Sequence, residues 1–188
     1  IDGHGATIGG IIVDSGKFDW TKEPSKFPML NEPDPSYHGI VYTQQFGPAA
    51  FIACCRVVPL RETGACLSPH SAFIIMLGLE SLGVRMERHC ENALVLAKYL
   101  DQHEQVEWVN YAALPNDKYY DVCQKITKGH ASGIISFGIK GGMNAAIKFI
   151  DALQMILRVL SMGDAKSLAC HPASTIHRQL TPEQLVLA

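Results

Sequence analysis

The sequence predicts an α/β fold, and three observations lead to that prediction. Strand-like and helix-like segments alternate in the second half of the chain, which is the order expected of a compact α/β domain. The helical segments carry apolar residues at spacings of three and four, and a strand segment alternates its apolar residues. The composition is that of an ordinary folded protein, with 47% hydrophobic and 18% charged residues among 188.

The first third of the chain predicts a strand, a long loop and two helices. Residues 8–13 form an apolar run bounded by glycines, which is typical of a buried strand. Residues 17–38 contain four prolines and scattered charge, and predict a surface loop. Residues 46–58 have a helical composition. Ser68 precedes Pro69 as a helix N-cap, and the apolar residues 72–77 that follow predict a largely buried helix.

Gly83 is expected to separate that helix from a second, amphipathic one. The second helix has one apolar stripe, and its charged residues face elsewhere, over about five turns. The stripe consists of Met86, Cys90, Ala93, Ala97 and Leu100, and the charged residues are Arg85, Glu87, Arg88 and Glu91.

The remaining segments continue the alternation. Strands are predicted at residues 106–111, 133–139 and 156–160, and helices at residues 118–126 and 143–153. Thr181 and Gln184 form a capping box that opens a last helix. Because the apolar residues 185–188 then have nothing to pack on, we interpret the chain as a segment of a longer polypeptide.

Composition excludes several classes of partner. The net charge is −2 and there is no basic run, so nucleic acid is not expected as a partner. The apolar runs are too short to span a bilayer, and no secretory signal is visible. The six cysteines form no regular framework, which favours a reduced, cytoplasmic compartment.

Four patterns suggest sites, and each has a simpler explanation. Gly3, Gly5 and the following glycines lack the preceding strand that a dinucleotide-binding loop needs. The eight histidines and six cysteines show no zinc spacing, and His89 and His103 are interpreted as helix-surface residues. Cys170-His171 is more typical of a buried thiol than of a nucleophile and its base. Residues 163–167, close to Ser161, are either an anion-binding rim or a solvated loop.

Several segments together resemble the pyridoxal-phosphate (PLP) enzymes of cysteine and methionine metabolism, and within that family the O-acetylhomoserine sulfhydrylases. They occur in order over nearly the whole chain: GHGATIGGIIVDSGKFDW at residues 3–20, YHG at 37–39, FGPAAF at 46–51, TGACLSPHSAF at 63–73, GLESLGVRMERHCENA at 78–93, WVNY at 108–111 and GDAKSLACHPASTIH at 163–177.

The resemblance implies PLP fold type I, in which a large cofactor domain precedes a smaller α/β domain. Residues 1–80 would be the end of the large PLP-binding domain, and residues 81–188 most of the small C-terminal domain. It further implies a cytoplasmic homotetramer of methionine biosynthesis that uses PLP and a small amino-acid substrate. The reaction would replace the acetate of O-acetylhomoserine by sulfide or a thiol, giving homocysteine or methionine.

The resemblance carries few functional residues onto this chain. The lysine that holds PLP in relatives is expected just upstream of Ile1, so no residue here is assigned to catalysis, to the cofactor or to a metal. Ser161 matches a position beside the substrate carboxylate, where sulfhydrylases often have asparagine and lyases have serine. Met162 and Gly163 would shape the same wall. Leu160 replaces a glutamate of the lyases, which weakens a lyase assignment.

Two alternatives remain open at this stage. A cystathionine γ-synthase or γ-lyase shares the scaffold. A non-catalytic fragment or subunit, which lacks the PLP lysine and only packs against a complete partner, is the alternative from a different class. The sequence does not distinguish sulfide from methanethiol as acceptor, or acetyl from succinyl as leaving group.

Overall fold

The structure, a computed structural model, describes residues 1–187. Its contacts divide the chain into two compact units, Ile8–Ala72 and the combination of Ile1–Thr7 with Phe73–Ala188. The boundary between cofactor domain and small domain at residue 80 is a separate matter and stays a prediction. The helices are α1 (Pro28–Asn31), α2 (Tyr42–Phe46), α3 (Ala50–Cys55), α4 (Arg61–Thr63), α5 (Pro69–Glu80), α6 (Leu82–Asp101), α7 (Tyr120–Thr127), α8 (Gly142–Ala152) and α9 (Pro182–Leu187). The strands are β1 (Val106–Asn110), β2 (Ser136–Ile139), β3 (Leu157–Arg158) and β4 (Leu168–Ala169).

In the unit Ile8–Ala72, short helices pack around a small buried core. The core residues are Leu30, Tyr42, Ala50 and Cys54. The predicted loop at residues 17–38 contains a 3-10 turn at Pro24–Lys26 and the helix α1, because each proline fits the first turn of a short helix. The helix predicted at residues 46–58 is confirmed, although it changes from α3 into a π-helical turn at Arg56–Leu60.

The buried strand predicted at residues 8–13 is wrong for this structure. The segment has no regular secondary structure, and its large side chains are exposed, with Ile8 at 92% and Ile11 at 86%. A strand needs a hydrogen-bonded neighbour, and no other described segment of the chain pairs with this one. The large apolar side chains of residues 8–13 therefore stay exposed within residues 1–187.

Helix α5 forms where it is predicted, but it is much less buried than expected. The Ser68 hydroxyl accepts a hydrogen bond from the Ser71 N–H at 3.1 Å, which confirms the N-cap. Phe73 and Met76 nevertheless remain 58% and 65% exposed, and Gly78 is the buried residue of the helix. An all-round apolar helix requires packing on several sides, and the described residues provide it mainly around Gly78.

The core of the other unit is built on α6 and on the pair β1–β2. The predicted apolar stripe of α6 is confirmed, since Cys90, Ala93, Ala97 and Leu100 are buried. Both predicted strands form, and β1 and β2, which are connected through α7, pair antiparallel. The Tyr111 hydroxyl donates to the Ser132 carbonyl at 2.8 Å and ties the end of β1 to the segment before β2. One detail differs: the break before α6 falls at Ser81, and Gly83 lies inside the helix.

The last part of the chain contains two short strands and a capped helix. The strand predicted at residues 156–160 shortens to β3, which pairs in parallel with β4 over two residues. The capping box is confirmed, because the Gln184 N–H donates to Thr181 Oγ1 and the Thr181 N–H donates to Gln184 Oε1. The side chains of Val186 and Leu187, and all of Ala188, lie outside the described residues, so the expectation about their packing is not addressed.

None of the helices among residues 1–187 combines the length and apolarity needed to cross a membrane. The six cysteines are free thiols.

Candidate functional site

A tight glycine turn lies at the start of the chain. Gly3 and Gly5 both adopt left-handed backbone conformations, with φ of 84° and 63°, which residues with a Cβ disfavour. The Asp2 carboxylate accepts a hydrogen bond from the Ala6 N–H at 2.8 Å and closes the turn. This N–H bond holds the pKa of Asp2 below its ordinary value. The turn is therefore a fixed local structure that depends on its two glycines.

Arg85 of α6 binds this segment to the neighbouring helices. Its Nη2 donates to the Ile1 carbonyl at 2.7 Å and to the Gly78 carbonyl at 2.6 Å, and its Nε donates to Ser81 Oγ at 3.1 Å. The sequence pattern placed Arg85 away from the apolar stripe of α6, and the structure adds that it binds groups outside its own helix. Helical periodicity assigns a face but does not reveal partners so distant in the chain.

Two further close approaches fix the turn against the helices. A Cβ at Gly3 would lie 2.6 Å from Arg85 Nη1, so only glycine leaves room for the guanidinium. A Cβ at Gly78 would lie 2.7 Å from the Asp2 carbonyl oxygen, so α5 also contacts the segment through a glycine. The approach of α5 to the Asp2 backbone therefore requires a residue without a Cβ at position 78.

The loop that follows β3 meets the same turn. The Ala165 N–H donates to the Gly3 carbonyl at 2.7 Å. Asp164 lies with its carboxylate facing Gly5, and its side chain is only 8% exposed. Asp164 Oδ1 also accepts from the Lys166 N–H at 2.9 Å, which shapes the loop. The structure therefore brings together two segments that are far apart in the sequence, the glycine turn and residues 161–167.

The predicted substrate-binding residues lie in this loop, immediately before the contact. Ser161 and Gly163 are exposed, and Met162 is 75% exposed. Gly163 has a φ of 78°, which the turn into Asp164 requires. Their assignment to the substrate stays a prediction, and the structure adds that their side of the loop is open to solvent.

The charged residues of this loop help to decide whether residues 163–167 form an anion-binding rim or a solvated loop. Lys166 Nζ lies 3.7 Å from Asp164 Oδ1, so the carboxylate partly offsets the one cation of residues 163–167. An anion would have to compete with Asp164 for that ammonium. The arrangement therefore agrees better with a structured, solvated loop than with an anion-binding rim.

The other candidate residues are engaged elsewhere. His171 Nδ1 and Ser174 Oγ are 2.8 Å apart, so the imidazole is bonded to a turn of its own segment and not to a Cys170 thiolate. His103 Nδ1 accepts from the Gln105 N–H, as expected of a residue at a helix end. His89 is half-buried beside Gly133 instead of lying at the helix surface. Residues 1–187 bring no three potential metal ligands together.

Comparison with known proteins shows which protein family the chain resembles. The family model described as Cys/Met metabolism PLP-dependent enzyme matches residues 1–187. The chain is 46% identical over 188 residues to a homocysteine synthase of Schizosaccharomyces pombe, covering all of this chain and 44% of that protein. It is 47% identical over 184 residues to O-acetyl-L-homoserine sulfhydrylase 1 of Thermus thermophilus, covering 98% of this chain and 43% of that protein.

Solved structures agree with these relatives. A Campylobacter jejuni chain described as an O-acetylhomoserine (thiol)-lyase, which carries a pyridoxyl-lysine, superposes with a TM-score of 0.76 at 38% identity, covering 88% of this chain and 39% of that one. A cystathionine γ-synthase of Xanthomonas oryzae gives a TM-score of 0.63 at 30% identity, covering 74% of this chain and 34% of that one. The predicted PLP fold type I is confirmed. The chain spans less than half the length of these relatives.

Two cavities among the described residues can be compared with the requirements of a PLP site. The cofactor needs a lysine for its Schiff base and donors for an anionic phosphate. One cavity, of about 290 Å³, is lined by Glu32 and Asp34 and contains no lysine. A second, of about 540 Å³, contains Arg158, but this residue is ion-paired with Asp151. Neither cavity offers the required groups.

Proposed function

Because the chain belongs to the Cys/Met-metabolism family of PLP-dependent enzymes, we propose that the complete protein is an O-acetylhomoserine sulfhydrylase. It would replace the acetate of O-acetylhomoserine by sulfide and release homocysteine and acetate. In the complete enzyme the bound cofactor supplies an electron sink for the carbon next to the substrate amine. The relatives named for this activity, at 46–47% identity over nearly the whole chain, support the assignment.

One contact supports a role for this chain in binding the amino-acid substrate. The Gly3 carbonyl and the Ala165 N–H join the glycine turn to the loop that contains Ser161, Met162 and Gly163. The turn follows the position where the resemblance expects the PLP lysine. We propose that the Ser161 hydroxyl donates to the substrate carboxylate, and that Met162 and Gly163 form the wall beside it.

Substitution of Ser161 tests this assignment. In the complete enzyme, Ser161→Ala should raise the KM for O-acetylhomoserine about tenfold, because a hydrogen bond to a charged group is lost. The KM for sulfide should not change. Ser167→Ala is the matched control, since this exposed serine of the same loop contributes its backbone carbonyl to Leu157 and should leave both constants unchanged. An unchanged KM in Ser161→Ala would remove Ser161 from the site.

Product analysis separates the sulfhydrylase from the alternatives. The complete protein, supplied with PLP, sulfide and O-acetylhomoserine, should form homocysteine. Release of an α-keto acid from cystathionine would instead indicate the γ-lyase, and cystathionine formed from cysteine the γ-synthase. Parallel assays with methanethiol and with the succinyl ester define the acceptor and the leaving group. The coding sequence upstream of Ile1 tests the non-catalytic alternative, because a lysine there restores the cofactor attachment.

The remaining proposals concern the whole protein. We propose a cytoplasmic homotetramer, in which residues 1–80 complete the large domain and residues 81–188 form most of the small one. The cysteine pattern supports a reducing compartment, because all six thiols are free. Light scattering on the complete protein tests the tetramer, and limited proteolysis near residue 80 tests the domain boundary.

A further inference from the structure

Arg85 donates to three acceptors, which are the carbonyls of Ile1 and Gly78 and the hydroxyl of Ser81. Gly78 lies among the last four residues of α5, whose carbonyls lack intrahelical partners, and Arg85 satisfies one of them. The guanidinium also offsets the negative end of the α5 dipole. The same Nη2 holds the Ile1 carbonyl, and Nε holds the Ser81 hydroxyl. These three bonds use the fixed planar fork of arginine, which a lysine ammonium does not reproduce.

The contacts continue from Arg85 to the substrate loop. Arg85 holds the Ile1 carbonyl, and the Gly3 carbonyl accepts from Ala165. The bond from the Ala6 N–H to the Asp2 carboxylate closes the turn that contains Gly3. Asp2 alone separates Ile1 from Gly3, so a short covalent path joins the carbonyl that Arg85 holds to the carbonyl that holds Ala165. Ser161, Met162 and Gly163 precede Ala165 in the same loop.

We infer that Arg85 is a positioning residue that orients the substrate loop through the glycine turn. The inference rests on the proposed function, because the loop is assigned to the amino-acid substrate. The inference predicts a specific kinetic effect. Loss of the planar guanidinium of Arg85 should weaken binding of O-acetylhomoserine and leave binding of sulfide unchanged. A general folding defect reduces the active fraction, and so lowers the apparent kcat without changing either KM.

The test uses the complete enzyme with four variants. Arg85→Met removes all donors at similar volume, Arg85→Lys keeps the charge without the fork, and Ser81→Ala removes one of the three bonds. Arg88→Met is the matched control, because Arg88 is exposed on the same helix and pairs with Glu91. Steady-state kinetics are measured with both substrates. Hydrogen exchange is followed at the amides of Ala6 and Ala165, whose N–H groups close the turn and join it to the loop.

We expect Arg85→Met and Arg85→Lys to raise the KM for O-acetylhomoserine about tenfold and to accelerate exchange at both amides by at least a similar factor, since charge-assisted hydrogen bonds are lost. Ser81→Ala should give a smaller change in the same direction, which keeps the test informative if the arginine variants fold poorly. Arg88→Met should match the wild type. Unchanged exchange at Ala6 and Ala165 in both arginine variants, or a wild-type KM in Arg85→Lys, would overturn the inference.

Failure of the proposed function has a different signature. If the wild-type enzyme forms no homocysteine but Arg85→Met still accelerates exchange at Ala6 and Ala165, the reaction assignment is wrong and the structural coupling stands. The same exchange measurement then identifies the contacts without reference to any substrate.

Discussion

At the scale of single residues, the bond between Tyr42 and Asp34 links the core of the unit Ile8–Ala72 to its surface. The Tyr42 side chain is fully buried, and its hydroxyl donates to Asp34 Oδ2 at 2.6 Å. Burial, and then the Asp34 carboxylate, raise the pKa of Tyr42. The same hydrogen bond is the main cause that lowers the pKa of Asp34 below its ordinary value of 3.8. The bond is therefore strongest while Asp34 is ionised.

Tyr42→Phe should destabilise the fold in a pH-dependent manner. Since the pKa of Asp34 is lower in the folded than in the unfolded protein, its contribution is present above pH 3.8 and is lost as the pH falls through the folded value. The stability difference between wild type and variant should therefore be largest at neutral pH and should shrink in acid. Urea unfolding across this range measures it. The same change at the exposed Tyr99 should alter stability by less than about 0.5 kcal/mol at any pH, and equal effects at both sites would contradict the assignment.

Which residues could be predicted from the sequence depends on how local their partners are. Ser68 and Thr181 are correctly predicted as caps, because each bonds within three residues of itself. The partners of Arg85 could not be predicted, since its acceptor Ile1 lies 84 positions away. The sequence pattern gave no structural role to Gly78, and the close approach of Asp2 explains why this position is glycine. The contacts of the candidate site are long-range, so the motif alone could not define them.

At the scale of elements, the formation of a helix depends on local sequence, whereas its burial depends on residues that are distant in the sequence. The periodic stripe of α6 predicts its buried face, because Ala93 and Ala97 belong to a core cluster with residues of β1, α7 and the loops beside the strands. Helix α5 and residues 8–13 carry an apolar signal of similar strength and remain largely exposed. An apolar pattern indicates that a segment needs to be buried. It does not identify the residues that pack against the segment, because these are distant in the sequence.

Two glycine-to-alanine changes in adjacent helices test the packing of α5. Gly78→Ala should cost about 1–3 kcal/mol, because its Cβ would overlap the backbone of Asp2, which Arg85 holds through Ile1. Gly83→Ala in α6 should stabilise by about 0.5–1 kcal/mol, since its Cβ has no neighbour within 4 Å and alanine favours the helix. Chemical denaturation of both variants gives the comparison. Changes of the same sign would show that the glycine turn does not rest on α5.

At the scale of the whole molecule, exposed apolar surface is the dominant feature. Ile8 and Ile11 are 92% and 86% exposed, and Phe73 and Met76 more than half exposed. The exposed apolar side chains of residues 8–13 lie next to one another in the chain, and exposed apolar patches mark interaction faces. The relatives are more than twice as long as the region matched here, since the chain covers 43–44% of them. We therefore expect the remainder of the complete polypeptide to cover residues 8–13.

The double substitution of Ile8 and Ile11 by serine should have opposite effects in two contexts. In the isolated 188-residue chain it removes exposed apolar area, so self-association in sedimentation experiments should decrease. In the complete polypeptide it places serine where isoleucine is buried, and should cost about 1.5–3 kcal/mol per site in the free energy of unfolding. If the complete protein tolerates the substitution without loss of stability, residues 8–13 are exposed there too. Their apolar character would then serve contact with a second molecule instead of the core of the same one.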